Sequence, residues 1–279
     1  MTNYHGYEWS LWYYQESTEG TAHIGTSANK YLALAHKSEL RISEASDPVA
    51  VAFSGSVDNT AFAKGVSNVT ATITFNPSGL NGLAFIKNFA GTDNSFTLVA
   101  KAGSIFQVLR GCKVQNISVN GSLFPSHGPV ECTATIMAWT INGTDPTASQ
   151  TESIPTSFVN WSDVAITLAG TSITNWWNFT LSINNDLFRL RSNTGVTTAI
   201  HRGRREVTCS VTRSLTDNAT TEFAASTAAT STAAIFNFVS STAVFTLSAG
   251  AYTDVEVTHP ISGMSGLKTD LKASTLTIA

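Results

Sequence analysis

The stretch "GRREVTCSVTRSLT", residues 203–216, decides the fold class because apolar and polar residues alternate through most of it. On an extended chain, successive side chains point to opposite sides. One side carries Val207, Cys209 and Val211, and the other carries Glu206, Thr208, Ser210 and Thr212. Alternation with period two predicts a β-strand that is buried on one face and solvated on the other.

The same alternation recurs in "NVTATITF", residues 68–75, and in "ECTATIMA", residues 131–138. Hydrophobic residues make up 42% of the 279-residue chain, which is enough for a packed core, and the net charge is only -3. A disordered chain combines low hydrophobicity with high net charge, so that class is excluded. The chain is therefore predicted to be mainly β.

The order of the predicted elements repeats along the chain. "GVSNVTATITFNPS" begins at Gly65 and corresponds to the stretch that begins at Gly203. A short helix is predicted after each strand, at about 78–91 and 216–229, because each segment carries start or stop signals of a helix. "FTLVAKAG" and "GCKVQNISV" then follow in the first copy, and "FNFVSSTA" and "GAYTDVEVT" follow in the second. "SELRI", near 38–42, is matched with "NDLFRL", near 185–190.

This self-similarity at about half the chain length predicts one fold used twice. The expected architecture is two tandem β-sandwich or barrel domains, each with one short flanking helix. The first domain, with an N-terminal arm, would span residues 1–145 and the second residues 146–279. The boundary is expected near 141–155, which is polar and contains two prolines.

The sequence carries none of the familiar signatures of enzymes or metal sites. It has no glycine-rich phosphate-binding loop, and no histidine lies at metal-ligand spacing from another histidine or a cysteine. Three cysteines without a C-x-x-C spacing argue against a disulfide framework, and no apolar run is long enough to span a membrane. We therefore expect no catalytic residues, no metal, no cofactor and no membrane contact.

The arginines near residue 203 admit two interpretations, a phosphate-binding patch or a contact between subunits. No Lys or Arg occurs from Val114 to Leu187, which disfavours a nucleic-acid-binding surface spread over the whole molecule. Arginine is the preferred partner of carboxylates at interfaces. The subunit-interface candidates are Arg202, Arg204, Arg205 and Glu206.

Three stretches resemble the tail tube protein family of long-tailed phages and related viruses. "GTSITNWWNFTLSINNDLFRLRSNTGVTTAIHRGRREVTCSVT", residues 170–212, is similar to the family's strand, corner, loop and following strand. "FQVLRGCKVQNISVNGSLFPSHGPVECTATIMAW", residues 106–139, resembles two strands joined by a turn, and "YYQESTEGTAHIGTS", residues 13–27, resembles its N-terminal segment. In the first copy "GVSN" stands where "GRRE" would be, and the loop 43–64 is longer.

The resemblance implies a structural virion protein whose rings stack into a hollow tail tube for genome delivery. A duplicated fold implies trimeric rings with pseudo-sixfold symmetry. The expected partners are other copies of the chain, other tail proteins and viral DNA that passes without specific binding. The expected location is the virion tail, after assembly in the host cytoplasm. The long loops 43–64 and 190–203 are candidates for ring-to-ring contacts, or else mobile surface loops.

The solvated strand faces fit such a conduit, because each Lys or Arg that contacts phosphate adds affinity for DNA. The lumen-facing candidates are short, and neutral or acidic. They are Thr70, Thr72, Thr74, Thr133, Thr135, Thr208, Ser210, Thr212, Asp254 and Glu256. The same faces would also suit an ordinary solvated surface, because Thr is a good strand former.

Two other functions remain open from the sequence. The chain could be a two-domain β-sandwich that binds carbohydrate or mediates adhesion, with some of its six Trp residues as stacking platforms. Trp176 and Trp177 are adjacent and would point to opposite faces of a strand, so they are better explained by packing. A β-rich capsid or capsid-decoration protein is the third possibility.

Overall fold

The chain folds mainly into antiparallel β-structure, which confirms the predicted fold class. The computed structural model describes residues 9–21, 30–31, 39–51, 61–77, 81–102, 105–123, 127–142, 158–215, 223–224, 226–227, 231–238, 243–259 and 265–279. Within these described residues, fifteen strands belong to one branched sheet, and two more form a separate hairpin.

In the described part of the chain, eight strands precede residue 143. They are β1 (Trp9–Gln15), β2 (Lys30–Tyr31), β3 (Glu39–Val51), β4 (Ala61–Phe75), β5 (Phe96–Ala102), β6 (Ile105–Ser122), β7 (Glu131–Ala138) and β8 (Thr140–Asn142). Nine described strands follow. They are β9 (Val164–Leu168), β10 (Thr171–Ile173), β11 (Trp176–Asn184), β12 (Leu187–Arg191), β13 (Thr197–Arg202), β14 (Glu206–Ser214), β15 (Thr232–Phe238), β16 (Ala243–Thr258) and β17 (Gly266–Ile278).

One order of strand pairing occurs in both halves of the chain. The first half pairs in the order β2-β1-β5-β6-β7-β4-β3, and the second pairs in the order β10-β9-β15-β16-β17-β14-β11. Every pair in both orders is antiparallel. Strand β8 and the β12–β13 hairpin have no counterpart in the shared order.

Irregularities in the strands also occur at corresponding positions. The β6–β7 ladder skips Gln115, and the β16–β17 ladder skips Thr253 at the equivalent point of the second half. Gly111 of β6 has a φ of 60°, and Ala249 of β16 has a φ of 49°. The pairing therefore matches Gly111 with Ala249, one residue before the Gly250 that the sequence comparison aligns with Gly111.

The two halves are joined edge to edge by the pairing of β6 with β11. Asn116 pairs with Asn184 at one end of this ladder, and Ser122 pairs with Asn178 at the other. The far half of β6 thus lies between β7 and β11. The resulting run, β3-β4-β7-β6-β11-β14-β17-β16, crosses both halves without a break and is called the eight-strand path below.

The core lies on one side of this path as a single cluster of buried side chains drawn from both halves. The first predicted helix is found as α1 (Asn81–Phe85) followed by a π-helical turn (Ile86–Ala90). Aromatic rings pack against it. Phe85 lies 5.0 Å from Tyr13 and 5.3 Å from Phe96, measured between ring centroids. Of the second predicted helix, residues 223–224 and 226–227 are helical, and the remainder of 216–229 is outside the described residues.

Several expectations about loops are wrong. Residues 43–51 and 61–64 belong to the paired strands β3 and β4. Pro48 lies where that ladder shifts register, a position that needs no ladder hydrogen bond from the proline. Most of 190–203 is the β12–β13 hairpin, with its turn at 192–196.

The match of "SELRI" with "NDLFRL" is also wrong, because the pairing matches residues 39–45 with 178–184. The domain boundary expected near 141–155 lies almost entirely outside the described residues, because residues 143–157 are not among them.

Candidate functional site: the polar face of the eight-strand path

The side of the eight-strand path opposite the core is polar along its whole width, and we call it the polar face. Its side chains are all half-buried or exposed. In path order they are Glu39, Arg41, Ser43; Thr70, Thr72, Thr74; Glu131, Thr133, Thr135; Asn116, Ser118, Asn120, Ser122; Asn178, Thr180, Ser182, Asn184; Glu206, Thr208, Ser210, Thr212; Lys268, Asp270, Lys272; and Asp254, Glu256, Thr258. Period-two alternation places them on one side while the residues between them face the core.

All ten sequence-predicted lumen candidates lie on the polar face. Thr72 is directly opposite Thr135, and the hydroxyl oxygens of Thr74 and Thr133 are 3.3 Å apart. In the second half, Ser210 lies opposite Thr180 of β11 on one side and Asp270 of β17 on the other. The structure therefore brings the candidates of both halves onto one continuous surface.

The central strands β6 and β11 supply eight polar-face residues that the sequence reasoning missed. Ser118 lies opposite Ser182, and Asn120 lies opposite Thr180. The signal was present, because "NISVNGS" and "NFTLSIN" both alternate polar with apolar or small residues. These two strands connect the candidates of the first half to those of the second.

The polar face as a whole contains basic residues, although the ten sequence-predicted lumen candidates are all neutral or acidic. Lys268 and Lys272 of β17 lie on it, and so does Arg41 of β3. Each of these cations has a carboxylate partner on the same face. The ammonium of Lys268 is 2.9 Å from Asp270, Lys272 pairs with Glu206, and the guanidinium of Arg41 is 2.5 Å from Glu39.

Carboxylates outnumber cations on the polar face. The three cations face six carboxylates, those of Glu39, Glu131, Glu206, Asp254, Glu256 and Asp270. Asp270, with Asp254 and Glu256 further away, raises the pKa of Lys268, and Lys272, followed by Arg204, lowers the pKa of Glu206. At neutral pH the face is therefore hydrated, net negative and internally paired.

A hairpin covers the end of the polar face in the first half. Leu187 of β12 and Ile200 of β13 pack on Met137, which is 8% exposed. The guanidinium of Arg189 donates 3.1 Å to the side-chain oxygen of Asn68 and also donates to the carbonyl of Val69. The hairpin therefore bounds the accessible part of the face next to Thr70.

A buried lysine ties the same hairpin to β6. The ammonium of Lys113 donates to the carbonyl of Ile200 at 2.7 Å and lies 3.1 Å from the carboxylate of Glu19 and 3.3 Å from that of Asp93. Glu19 in turn accepts from the backbone N–H of Ile200 at 3.0 Å. A buried ammonium is stable only when its N–H groups find acceptors. The oxygens of Ile200, Glu19 and Asp93 supply them for Lys113.

The subunit-interface candidates fall into two groups. The guanidinium of Arg205 donates to the carbonyls of Gly91 at 2.8 Å and Leu276 at 3.1 Å, and burial, followed by Arg202, lowers its pKa. Arg204 and Glu206 are exposed and Arg202 is half-buried. Arg205 therefore has a role inside the chain, while contacts of these four residues between subunits stay a prediction.

The described residues offer little for reactive chemistry. They contain no group of three or more metal-ligating side chains, and their helices include none long and apolar enough to cross a membrane. Cys112, Cys132 and Cys209 are buried and unpaired by disulfides. Burial raises the pKa of all three thiols, that of Cys209 to about 12.

The structure is thus that of a mainly antiparallel β protein whose polar face runs unbroken through both halves. A model of the phage tail tube protein family matches residues 8–274. The chain belongs to that family, and it is a structural protein of the phage virion tail. Membership implies self-assembly into a tube together with other tail proteins.

A comparison with solved structures finds a chain from the virion of the native gene transfer agent particle. It is 11% identical, with a TM-score of 0.34, and the match covers 42% of this chain and 96% of that chain. No curated protein matches the chain. The family match, which covers nearly the whole chain, carries the assignment.

Proposed function

We propose that three copies of the chain form a closed ring, that rings stack into the tail tube, and that the polar face lines its lumen. The observation that carries this proposal is the polar face itself, which continues through both halves and whose three cations are all paired on it. A conduit has to hold DNA weakly, since every cation that neutralises a phosphate strengthens binding. An acidic, hydrated wall meets that requirement.

The repeated pairing order supports a fold that is duplicated within the chain. Each half contributes four strands to the eight-strand path, as two single-unit subunits of a ring would. With two units per chain, a ring of sixfold pseudo-symmetry contains three chains. We assign residues 1–145 to the first unit and 146–279 to the second.

The size of such a ring suits a genome conduit. Three eight-strand paths give about 24 strands, and at about 4.8 Å per strand the perimeter is about 115 Å. The corresponding diameter is about 37 Å between backbones, and strand tilt widens it further. A DNA duplex passes through a lumen of that width with its hydration layer.

The carbohydrate-binding alternative receives no support from the tryptophans. Among the described side chains, Trp12 and Trp176 are buried, and Trp139, Trp161 and Trp177 are half-buried. A sugar platform needs an exposed aromatic ring. The described tryptophans instead pack within the protein.

Electron microscopy of the purified protein tests the proposed ring. We expect hollow rings or tubes whose averaged axial views show three repeats, each divided into two similar lobes. Axial views with six identical repeats would contradict the trimer, and a protein that stays monomeric at high concentration would contradict the tube. A glycan-binding assay on the same sample distinguishes the adhesion alternative.

A further inference from the structure

We propose that neighbouring chains join by antiparallel pairing of β3 of one chain with residues 254–258 of β16 in the next, with Ser43 opposite Glu256. The proposal rests on the proposed ring and names the contact that closes it. The partner of each free edge is therefore a second copy of this chain. The internal β6–β11 junction supplies the template.

The template follows from the repeated pairing order. Strand β11 occupies in the second half the position that β3 occupies in the first, and β16 corresponds to β6. Inside the chain, β11 pairs with the far half of β6. The corresponding pair, β3 with the far half of β16, lies at opposite ends of the eight-strand path and is not formed within the described chain.

Both edges are open in the described part of the chain. Strand β3 pairs with β4 and with no other described strand. Strand β16 pairs with β17 along most of its length, whereas its ladder with β15 ends at Gly250. Residues 254–258 thus have a described strand partner on one side only. Open strand edges are templates for pairing with another chain.

The burial of core-side residues points to the same two edges. At the internal junction, Ile117 of β6 is 0% exposed and Leu181 of β11 is 0% exposed. Their counterparts Val255 of β16 and Ile42 of β3 are only partly buried, although both pack against the core. The core-side apolar residues are buried on the six inner strands, whereas Leu40 and Ile42 of β3 and Val255 and Val257 of β16 are half-buried.

The register follows from two correspondences between the halves. The matched ladders place Ser43 of β3 at the position of Ser182 in β11, and they place Glu256 of β16 at the position of Ser118 in β6. The internal pair Ser182–Ser118 therefore maps to Ser43–Glu256. The neighbouring pairs Asn184–Asn116 and Thr180–Asn120 map in the same way. The mapped pairs are Ala45–Asp254 and Arg41–Thr258.

Charge is complementary in this register. Asp254 and Glu256 give the β16 edge two carboxylates on the polar face, and Arg41 gives the β3 edge a guanidinium whose side chain is 76% exposed. Arg41 becomes the diagonal neighbour of Glu256, a distance that long side chains span. A shift of one residue would place the side chains of β3 on the wrong face.

Paired cysteines test the register in assembled protein. We expect the double variant Ser43→Cys with Glu256→Cys to form interchain disulfides under mild oxidation, giving dimers and trimers on non-reducing gels. The control keeps Glu256→Cys and moves its partner to Glu39→Cys, about 13 Å along the strand. Its yield of cross-linked chains should be at least about tenfold lower, because a disulfide needs closely placed Cβ atoms.

The native thiols provide little background, since burial raises the pKa of each of them. A second pair, Ala45→Cys with Asp254→Cys, serves if the first variant does not fold. Rings or tubes seen by electron microscopy without cross-links in either pair would overturn the junction and leave the proposed function intact. Wild-type protein that forms no ring at all would overturn the proposed function as well.

Discussion

At the scale of single residues, Glu16 shows how one buried carboxylate shapes the fold around it. The side chain is 7% exposed. It accepts hydrogen bonds from the backbone N–H of Gly111 at 2.9 Å, from that of Gly20 at 2.8 Å and from the hydroxyl of Thr97 at 2.8 Å. Gly111 has a left-handed φ of 60°, and an added Cβ there would meet the ring of Trp139 at 2.5 Å. Glu16 therefore holds the left-handed backbone of β6 at Gly111 in place.

We predict that Glu16→Gln lowers the free energy of unfolding by about 1–3 kcal/mol, because the amide nitrogen then faces the N–H of Gly20 instead of accepting from it. Urea unfolding followed by circular dichroism measures the change. The control Glu44→Gln alters an exposed carboxylate that accepts from the hydroxyl of Ser67. It should change stability by less than about 0.5 kcal/mol, and equal stability of Glu16→Gln and wild type would refute the role of Glu16.

Alternation in the sequence predicted which side of each strand a residue occupies, because the side-chain period of a strand is a local property. It did not predict the partners of Glu16 or Arg205, which lie at separations such as 95 and 114 residues. Those contacts depend on how the strands pack. The side of the strand on which a residue lies could thus be predicted from the sequence, whereas its hydrogen-bond partners could not.

At the scale of elements, the start of β14 connects three parts of the fold. Arg205 reaches the carbonyl of Gly91, just beyond the π-helical turn, and the carbonyl of Leu276 in β17. A cation at the carboxyl end of a helix is favourable because carbonyl groups there lack partners. Arg204, one residue earlier, is exposed.

The two arginines should therefore respond differently to substitution. We predict that Arg205→Gln lowers the free energy of unfolding by about 1–3 kcal/mol, because two carbonyls lose a charged donor. Arg204→Gln should leave stability within about 0.5 kcal/mol of wild type. Thermal and urea unfolding compare them directly.

If Arg204 contacts a neighbouring subunit, as predicted, Arg204→Glu should fold normally and assemble poorly in sedimentation experiments. Normal tubes from that variant would remove Arg204 from the interface.

The repeat in the sequence predicted the order of elements but not their full length or register. The sequence comparison treats residues 43–51 as part of a loop, yet they pair as part of β3. The bulges at Gln115 and Thr253 each add a residue to one strand of a pair, and no local sequence pattern predicts them. Strand length and bulges are set by tertiary pairing, which outweighs local propensity.

At the scale of the whole molecule, the proposed lumen gives a reason why the cations on the polar face are paired with carboxylates. Lys268 and Lys272 would attract phosphate if they were free, but each lies beside a carboxylate. Counterion release makes every unpaired cation in contact with DNA a source of salt-dependent affinity. The acidic excess on the face keeps the proposed lumen weakly repulsive.

We predict that Thr72→Lys combined with Ser210→Lys permits tube assembly but slows genome delivery, because the proposed lumen gains one cation on each half of every chain. The matched control is Thr72→Gln combined with Ser210→Gln, which adds bulk without charge. Electron microscopy checks the tubes, and the rate of DNA release checks delivery at two salt concentrations. Release as fast as that of the control would argue against the lumen assignment.

In the proposed ring of three chains, half of the junctions form inside a folding polypeptide, because β6 and β11 belong to the same chain. Tethered partners meet at an effective concentration in the millimolar range, whatever the supply of protein. Dilution therefore acts on only three of the six junctions. A tube built from such chains should start to assemble at lower protein concentration than one built from six separate single-unit subunits, and each assembled ring should lose subunits more slowly.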